Sequence, residues 1–348
     1  DCTELVSEAL NEFVTIMKKL SDMSNSGDSE VEDAYYNALY VRLLSSILRQ
    51  ADILDTINSY SIQIRPFSAT ELLAKKQTYV DKTEQLYATF QDSKTDINVI
   101  RTDIADQARE RGIKDGPGIY RMNLPTGSGK TNLSLRYAVH QMLYQGRSRF
   151  IYVAPFLSIL EQNAKHIKDV LDDEDMLEHH SNIVESPSLA DYGPSSDESE
   201  LEGLNASMRS YLTESWDGPV ILTTSVQFFN TLVKGKSANL RRFSSLINSV
   251  IILDEIQSYP VKTTYNFNLI FNFLKIVMNV NLVLCTATQP TLDTGALIHR
   301  ISYGDCTGNN KELVEMSEKQ RKIFNRNEYY LLEDGNEIGI ESITDEIL

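Results

Sequence analysis

The 348-residue chain is 41% apolar and 24% charged, as expected of a folded soluble protein with room for two domains or one large domain and an appendage. Its net charge of −16, from 33 basic and 49 acidic side chains, counts against a broad basic surface for nucleic acid, though not against a narrow site built from backbone amides and hydroxyls. No apolar run nears the ~20 residues that span a bilayer, no signal peptide opens the chain, and Cys2, Cys285 and Cys306 lack metal-ligand spacing, so a reduced cytoplasmic protein without membrane contact is expected.

Residues 3–20 and 31–58 read as helices joined by the polar stretch SDMSNSGDSE. In the second, Tyr40, Leu43, Leu44, Ile47, Leu48, Ala51 and Leu54 recur at helical spacing and form one apolar face. Residues 69–111 read as helical again, with Gly112 as C-cap and KDGPG as the break. Then the texture changes. Short apolar runs (GIYRMNL, RFIYVAP, PVILTTS, SVIILDE, NLVLCTA) alternate with amphipathic helices, one following Lys130 and one spanning about 158–170. Such runs predict buried parallel strands of an α/β fold, with ligands at their C-terminal ends. Residues 181–217 interrupt the pattern: an acidic loop is expected first, then a short helix in ELEGLNASMRSYLTESW. After about residue 296 the strand signal fades, and the chain reads as a connector.

Between the first predicted strand and the following helix lies Pro125-Thr126-Gly127-Ser128-Gly129-Lys130-Thr131. Glycines let backbone N–H groups close around phosphate oxygens, and the helix N-terminus adds partial positive charge. Lys130 is placed to reach the β- and γ-phosphates of ATP, and the Thr131 hydroxyl to ligate Mg²⁺. The strict phosphate-loop pattern has glycine where this chain has Leu124. The strand Ser249–Leu253 then ends in Asp254-Glu255. Two adjacent carboxylates suit a division of labour, with Asp254 serving the metal and Glu255 the attacking water. Taken alone, the same pair also fits a solvated strand end.

LPTGSGKT, DEIQ and CTATQP, in that order, resemble motifs I, II and III of superfamily-two helicases, and VAPFLSILEQNA and VILTTSVQFFNTL resemble the DNA-contacting motifs between them. With HHSN and DEIQSYP, the set is similar to the helicase–nuclease family of type I CRISPR systems from about residue 40 to 295, the acidic segment 181–217 diverging. The resemblance implies a RecA-like phosphate-loop domain with a central, mostly parallel sheet, preceded by a helical remnant of an HD nuclease domain. It implies an ATP-driven translocase on single-stranded DNA, unwinding 3′ to 5′ at the R-loop of a crRNA-guided surveillance complex of the Cascade type. Thr126, Gly127, Ser128, Gly129, Lys130 and Thr131 then take the nucleotide, with Asp254 and Glu255 in metal and hydrolysis roles. Gln257, Thr286 and Thr288 take coupling roles, and Pro155, Phe156, Thr223, Thr224 and Gln227 the DNA track. Thr286 and Thr288 also fit plain polar residues ending a strand, and Pro155-Phe156 an ordinary turn. Phe228 and Phe229 read as core, and His179-His180 as a loop or DNA-proximal pair rather than a metal site.

The same resemblance assigns residues 1–93 to the end of the nuclease domain and a linker, 94–295 to a first helicase lobe, and 296–348 to a connector toward a second lobe. Asp52 falls where the family has a ligand of the nuclease's divalent transition metal. The family's other ligands include histidines upstream of that helix, whereas all five histidines here lie at or after residue 140. No metal-dependent DNA cleavage is therefore expected of this chain alone. An initiator Met is lacking and no Arg-rich motif follows residue 296, so the chain reads as a fragment that binds ATP–Mg²⁺ weakly and turns it over poorly. A restriction-type DNA motor and an RNA helicase of the same superfamily stay open, although DEIQ argues against the DEAD-box group. So does a catalytically idle nucleotide-binding adaptor, which the intact Lys130, Asp254 and Glu255 oppose.

Overall fold

The computed structural model describes residues 2–24, 29–59, 67–90, 95–173, 176–180, 213–259, 261–288, 290, 292–294 and 297–324. The expected loop over 181–200, most of the expected short helix before Trp216, and the connector beyond residue 324 lie outside them.

Four helices come first: α1 (Cys2–Met23), α2 (Ser29–Ser59), α3 (Ala69–Ala88) and α4 (Asp96–Lys114). A β/α alternation follows: β1 (Gly118–Asn123), α5 (Lys130–Tyr144), β2 (Arg149–Ala154), α6 (Leu157–Leu171), β3 (Leu177–His179), β4 (Val220–Thr224), α7 (Ser225–Val233) and α8 (Ser237–Ser244). It ends with β5 (Ser249–Leu253), α9 (Val261–Ile276), β6 (Asn281–Thr286), β7 (Gly304–Asp305) and α10 (Glu318–Ile323). The strands form one sheet in the order β3-β4-β2-β5-β6-β1-β7, parallel throughout except for β7 against β1. The five long strands match the apolar runs. The two short edge strands, β3 and β7, carry too few residues to signal themselves.

Parallel strands need cover on both faces, and the side-chain alternation supplies an apolar surface to each. Tyr120, Met122, Phe150, Tyr152, Val250, Ile252 and Val283 point to one core, and Ile119, Ile151, Val153, Ile251, Leu253, Leu282 and Leu284 to the other. The leading helices are divided between these faces. Tyr79 and Val80 of α3 and Ile104 and Ala108 of α4 join the first core with α5 and α6. Tyr36, Leu39, Tyr40 and Leu43 of α2 join the second with α7, α8 and α9.

Three local expectations change. The helix expected over 69–111 is two helices, α3 opening on a Ser68/Glu71 capping box and α4 starting afresh at Asp96. Gly112 is no C-cap, because α4 runs on to Lys114. A Cβ there would stand 2.8 Å from both the His140 Cβ and the Tyr137 carbonyl oxygen, so the glycine permits close contact of α4 with α5. The apolar stripe of α2 is buried only in part: Tyr40 and Leu43 are covered, while Leu48 is 71% exposed. Its docking edge instead includes Ser46, whose hydroxyl donates to the Arg241 carbonyl (3.0 Å) and accepts the Ser244 N–H (2.8 Å).

Candidate functional site

At the end of β1 the Leu124 N–H donates to the Thr286 carbonyl at 3.1 Å, so the loop is rooted on the last residue of β6. Leu124 itself is fully buried in the first core. The position that is glycine in the strict pattern serves here as a core residue. Gly127 and Gly129 have φ of 81° and 90°, in the left-handed region that a side chain disfavours. Thr126 is exposed, whereas Ser128 is buried. The Ser128 hydroxyl and N–H both donate to the Pro125 carbonyl, at 2.8 and 3.3 Å. Gly129 caps α5, which starts at Lys130 and Thr131.

The Lys130 ammonium lies 3.4 Å from the Leu124 carbonyl and 3.6 Å from Glu255 Oε1. Glu255 Oε2 accepts from the Gln257 amide, the Gln257 Oε1 accepts from the Thr286 hydroxyl, and that hydroxyl accepts the Thr288 N–H at 3.0 Å. Motif residues 158 positions apart in the chain therefore form one contact relay across the ends of β1, β5 and β6. Glu255 holds a left-handed φ of 47°, which turns the chain sharply out of β5.

Asp254 is buried beside the relay. Its Oδ2 accepts from the Tyr152 hydroxyl, which in turn accepts the Asn163 amide at 2.7 Å, and its Oδ1 accepts the Glu255 N–H at 3.0 Å. Burial holds its carboxyl above its ordinary pKa, with Tyr152 and Lys130 opposing and Glu255 reinforcing the shift. Tyr152 and Asn163 were not singled out from the sequence. The available signal was a tyrosine in an otherwise apolar strand, whose hydroxyl needs a buried partner. The Thr131 hydroxyl and Asp254 carboxylate are hard oxygen donors of the type Mg²⁺ takes, and Gly129 leaves open space beside the loop.

The residues expected on the DNA track sit at the ends of β2 and β4. Phe156 is 60% exposed at the start of α6, and the Pro155 carbonyl accepts the Ser225 hydroxyl at 3.2 Å. Thr223 is fully buried and its hydroxyl donates to the His179 carbonyl at 2.8 Å, so its side chain is engaged inside the fold. Thr224 is buried at the head of α7, and Gln227 is half-buried one turn further on. Phe228 is core, and Phe229 packs 4.0 Å from Phe267 and 5.1 Å from Tyr259, centroid to centroid.

His179 lies edge-on to Trp216 at 5.9 Å, and burial, Arg242 and His180 push its pKa down to about 3. His180 lies 3.8 Å from Glu178. Asp52 is exposed on α2. Among the described residues no group of three or more His, Cys, Asp or Glu side chains is placed to hold a metal ion, at Asp52 or elsewhere. Among the described residues no helix is long and apolar enough to cross a membrane.

The family model described as DEAD/DEAH box helicase matches residues 102–294. Among curated proteins, the chain is similar to the CRISPR-associated nuclease/helicase Cas3 of Haloferax volcanii, 28% identical over 191 residues, or 52% of this chain and 20% of that protein. Among solved structures, T. fusca Cas3-AMPPNP aligns with a TM-score of 0.43 and 18% identity over 57% of this chain and 21% of that one. T. fusca Cas3 aligns with a TM-score of 0.44 and 17% identity over 65% and 22%. The chain thus spans about a fifth of the length of these relatives.

Proposed function

The chain belongs to the DEAD/DEAH box helicase family, and on that premise we propose that it is the first, ATP-binding lobe of a motor that moves 3′ to 5′ along single-stranded DNA in type I CRISPR interference. In this reading residues 94–295 are the lobe, the preceding helices derive from an HD nuclease domain, and the residues from 296 lead toward a second lobe. A crRNA-guided surveillance complex of the Cascade type delivers the motor to the R-loop.

The observation that carries the proposal is the relay from Lys130 through Glu255, Gln257 and Thr286 to Thr288. It links a loop able to cradle phosphate to the end of β6, which β5 separates from the proposed track at β2 and β4. Backbone N–H groups at Gly127, Ser128 and Gly129 bind phosphate oxygens, and Lys130 neutralises their charge. Thr131 and Asp254 would hold Mg²⁺, which supplies electrophilic activation of the γ-phosphate when bound. Glu255 orients and deprotonates the attacking water. One of its oxygens faces Lys130 and the other Gln257. When phosphate draws Lys130 away, the change in the Glu255 carboxylate passes through Gln257 to Thr286, which is how occupancy is felt at the end of β6. Pro155, Phe156, Thr224 and Gln227 line the track, where backbone groups and one exposed ring suit an acidic protein better than a basic groove.

The experiment is ATP turnover with single-stranded DNA, RNA or neither, with the second lobe supplied. DNA-specific stimulation that disappears in Lys130→Ala and Glu255→Gln is the expected result. Stimulation by RNA alone would move the assignment to an RNA helicase, and nucleotide binding without turnover above background would leave a nucleotide-binding adaptor.

A further inference from the structure

Arg101 stands on the second turn of α4, at the rim of a cavity of about 270 Å³ bounded by Tyr87, Phe90, Asn98, Arg136 and the loop residues Gly127 to Gly129. Its guanidinium reaches across to the phosphate loop. Nε and Nη2 both donate to the Gly127 carbonyl oxygen, at 3.1 and 2.5 Å, and Nη1 donates to Asn98 Oδ1 at 3.1 Å. All three nitrogens are engaged, in a planar fork that lysine cannot reproduce.

The contact falls on a peptide that needs restraint. Gly127 has a φ of 81° and no side chain, so nothing of its own holds that peptide in one orientation. A trans peptide is planar, and its C=O and the following N–H point in opposite directions. Pinning the Gly127 carbonyl toward α4 therefore aims the Ser128 N–H into the loop, where it lies 3.3 Å from the Pro125 carbonyl. A phosphate oxygen that takes the place of the Pro125 carbonyl meets this N–H already oriented.

We propose that Arg101 is a positioning residue for the phosphate loop: through the Gly127 peptide it presets the Ser128 N–H for the phosphates of a nucleotide. The proposal rests on the nucleotide-site reading above. Arg101 lies just before the family-matched residues 102–294, so a helix that begins outside the matched region sets the loop.

The test is titration of the full chain with a fluorescent ATP analogue and with inorganic tripolyphosphate, each with Mg²⁺. Arg101→Ala weakens both about tenfold, the loss of a charge-assisted pair. Arg101→Lys recovers little of this, and Asn98→Ala, which removes the third bond, weakens both about threefold. In steady-state turnover with the second lobe supplied, KM rises and kcat holds. Unchanged affinity in Arg101→Ala, even with a lowered thermal midpoint, overturns the proposal. So does loss of ATP binding with tripolyphosphate binding intact, which would place Arg101 on the nucleoside instead. Lys130→Ala separates the two levels: if it binds as the parent does, the nucleotide-site reading falls, and if it alone loses binding, only the role of Arg101 falls. Should Arg101→Ala fail to fold, Asn98→Ala and Arg101→Lys carry the same test.

Discussion

The ends of β1, β5 and β6 and the ends of β2 and β4 lie along one edge of one sheet, but they differ in what they present. The first set is a web of charged and polar side chains, Lys130, Asp254, Glu255, Gln257 and Thr286, bonded to one another. In the second, Thr223 and Ser225 spend their hydroxyls on backbone carbonyls of neighbouring strands and loops. What it exposes is apolar, Phe156 at 60% and Val226 at 63%. In the proposed function the first set handles phosphate charge and protons, and the second touches a polymer with shape, backbone groups and a stacking face. Under that proposal, a protein with a net charge of −16 needs no basic groove for its track.

The comparison is broken most directly at Lys130. Lys130→Ala weakens Mg²⁺–ATP binding about a hundredfold in calorimetric titration and leaves single-stranded DNA affinity nearly unchanged. Equal loss of both ligands would mean that the two ends are not separate. Thr286→Val keeps the shape of the relay and removes its hydroxyl. Turnover falls about tenfold with ATP affinity retained, as single-turnover kinetics would report. Phe156→Ala lowers single-stranded DNA affinity about fivefold in fluorescence anisotropy and leaves ATP binding alone.

The smallest effect concerns acid. His179 is neutral when folded, with a pKa near 3, while an unfolded histidine titrates near its ordinary value. The unfolded chain therefore binds the extra proton first, and stability declines as pH drops below about 6.5, by at most about 1.4 kcal/mol per unit. His179→Phe flattens that decline in thermal midpoints measured between pH 7 and 5. An unchanged slope would show that acid acts elsewhere than beside the track.

The two ends were also unequally legible in the sequence. The nucleotide end announces itself because its chemistry needs particular residues in fixed order: glycines for left-handed backbone at 127 and 129, a lysine and hydroxyl opening a helix, and paired carboxylates closing a strand. At the proposed track end the sequence points to loops but not to how individual side chains are engaged. Thr223 and Thr224 are identical and adjacent, and only the pairing of β4 with β3 turns the Thr223 hydroxyl onto His179. The leading helices were legible as helices, but their apolar stripes did not say which partner each would meet. Four of the seven residues of the α2 stripe are exposed, and a serine makes its tight contact.

By itself, then, the sequence determined the α/β class, the five long parallel strands and the phosphate loop with its acidic partner. Each of these follows from local rules: apolar runs buried on two faces, backbone angles that only glycine takes easily, and the spacing of strand and helix. The tertiary structure decided the strand order and the division of α2 and α3 between opposite faces. It also decided the hydrogen bond of Tyr152 to Asp254, the relay through Gln257, and the hold of Arg101 on Gly127. These join residues tens to hundreds of positions apart, and whether two such groups meet depends on how whole elements pack.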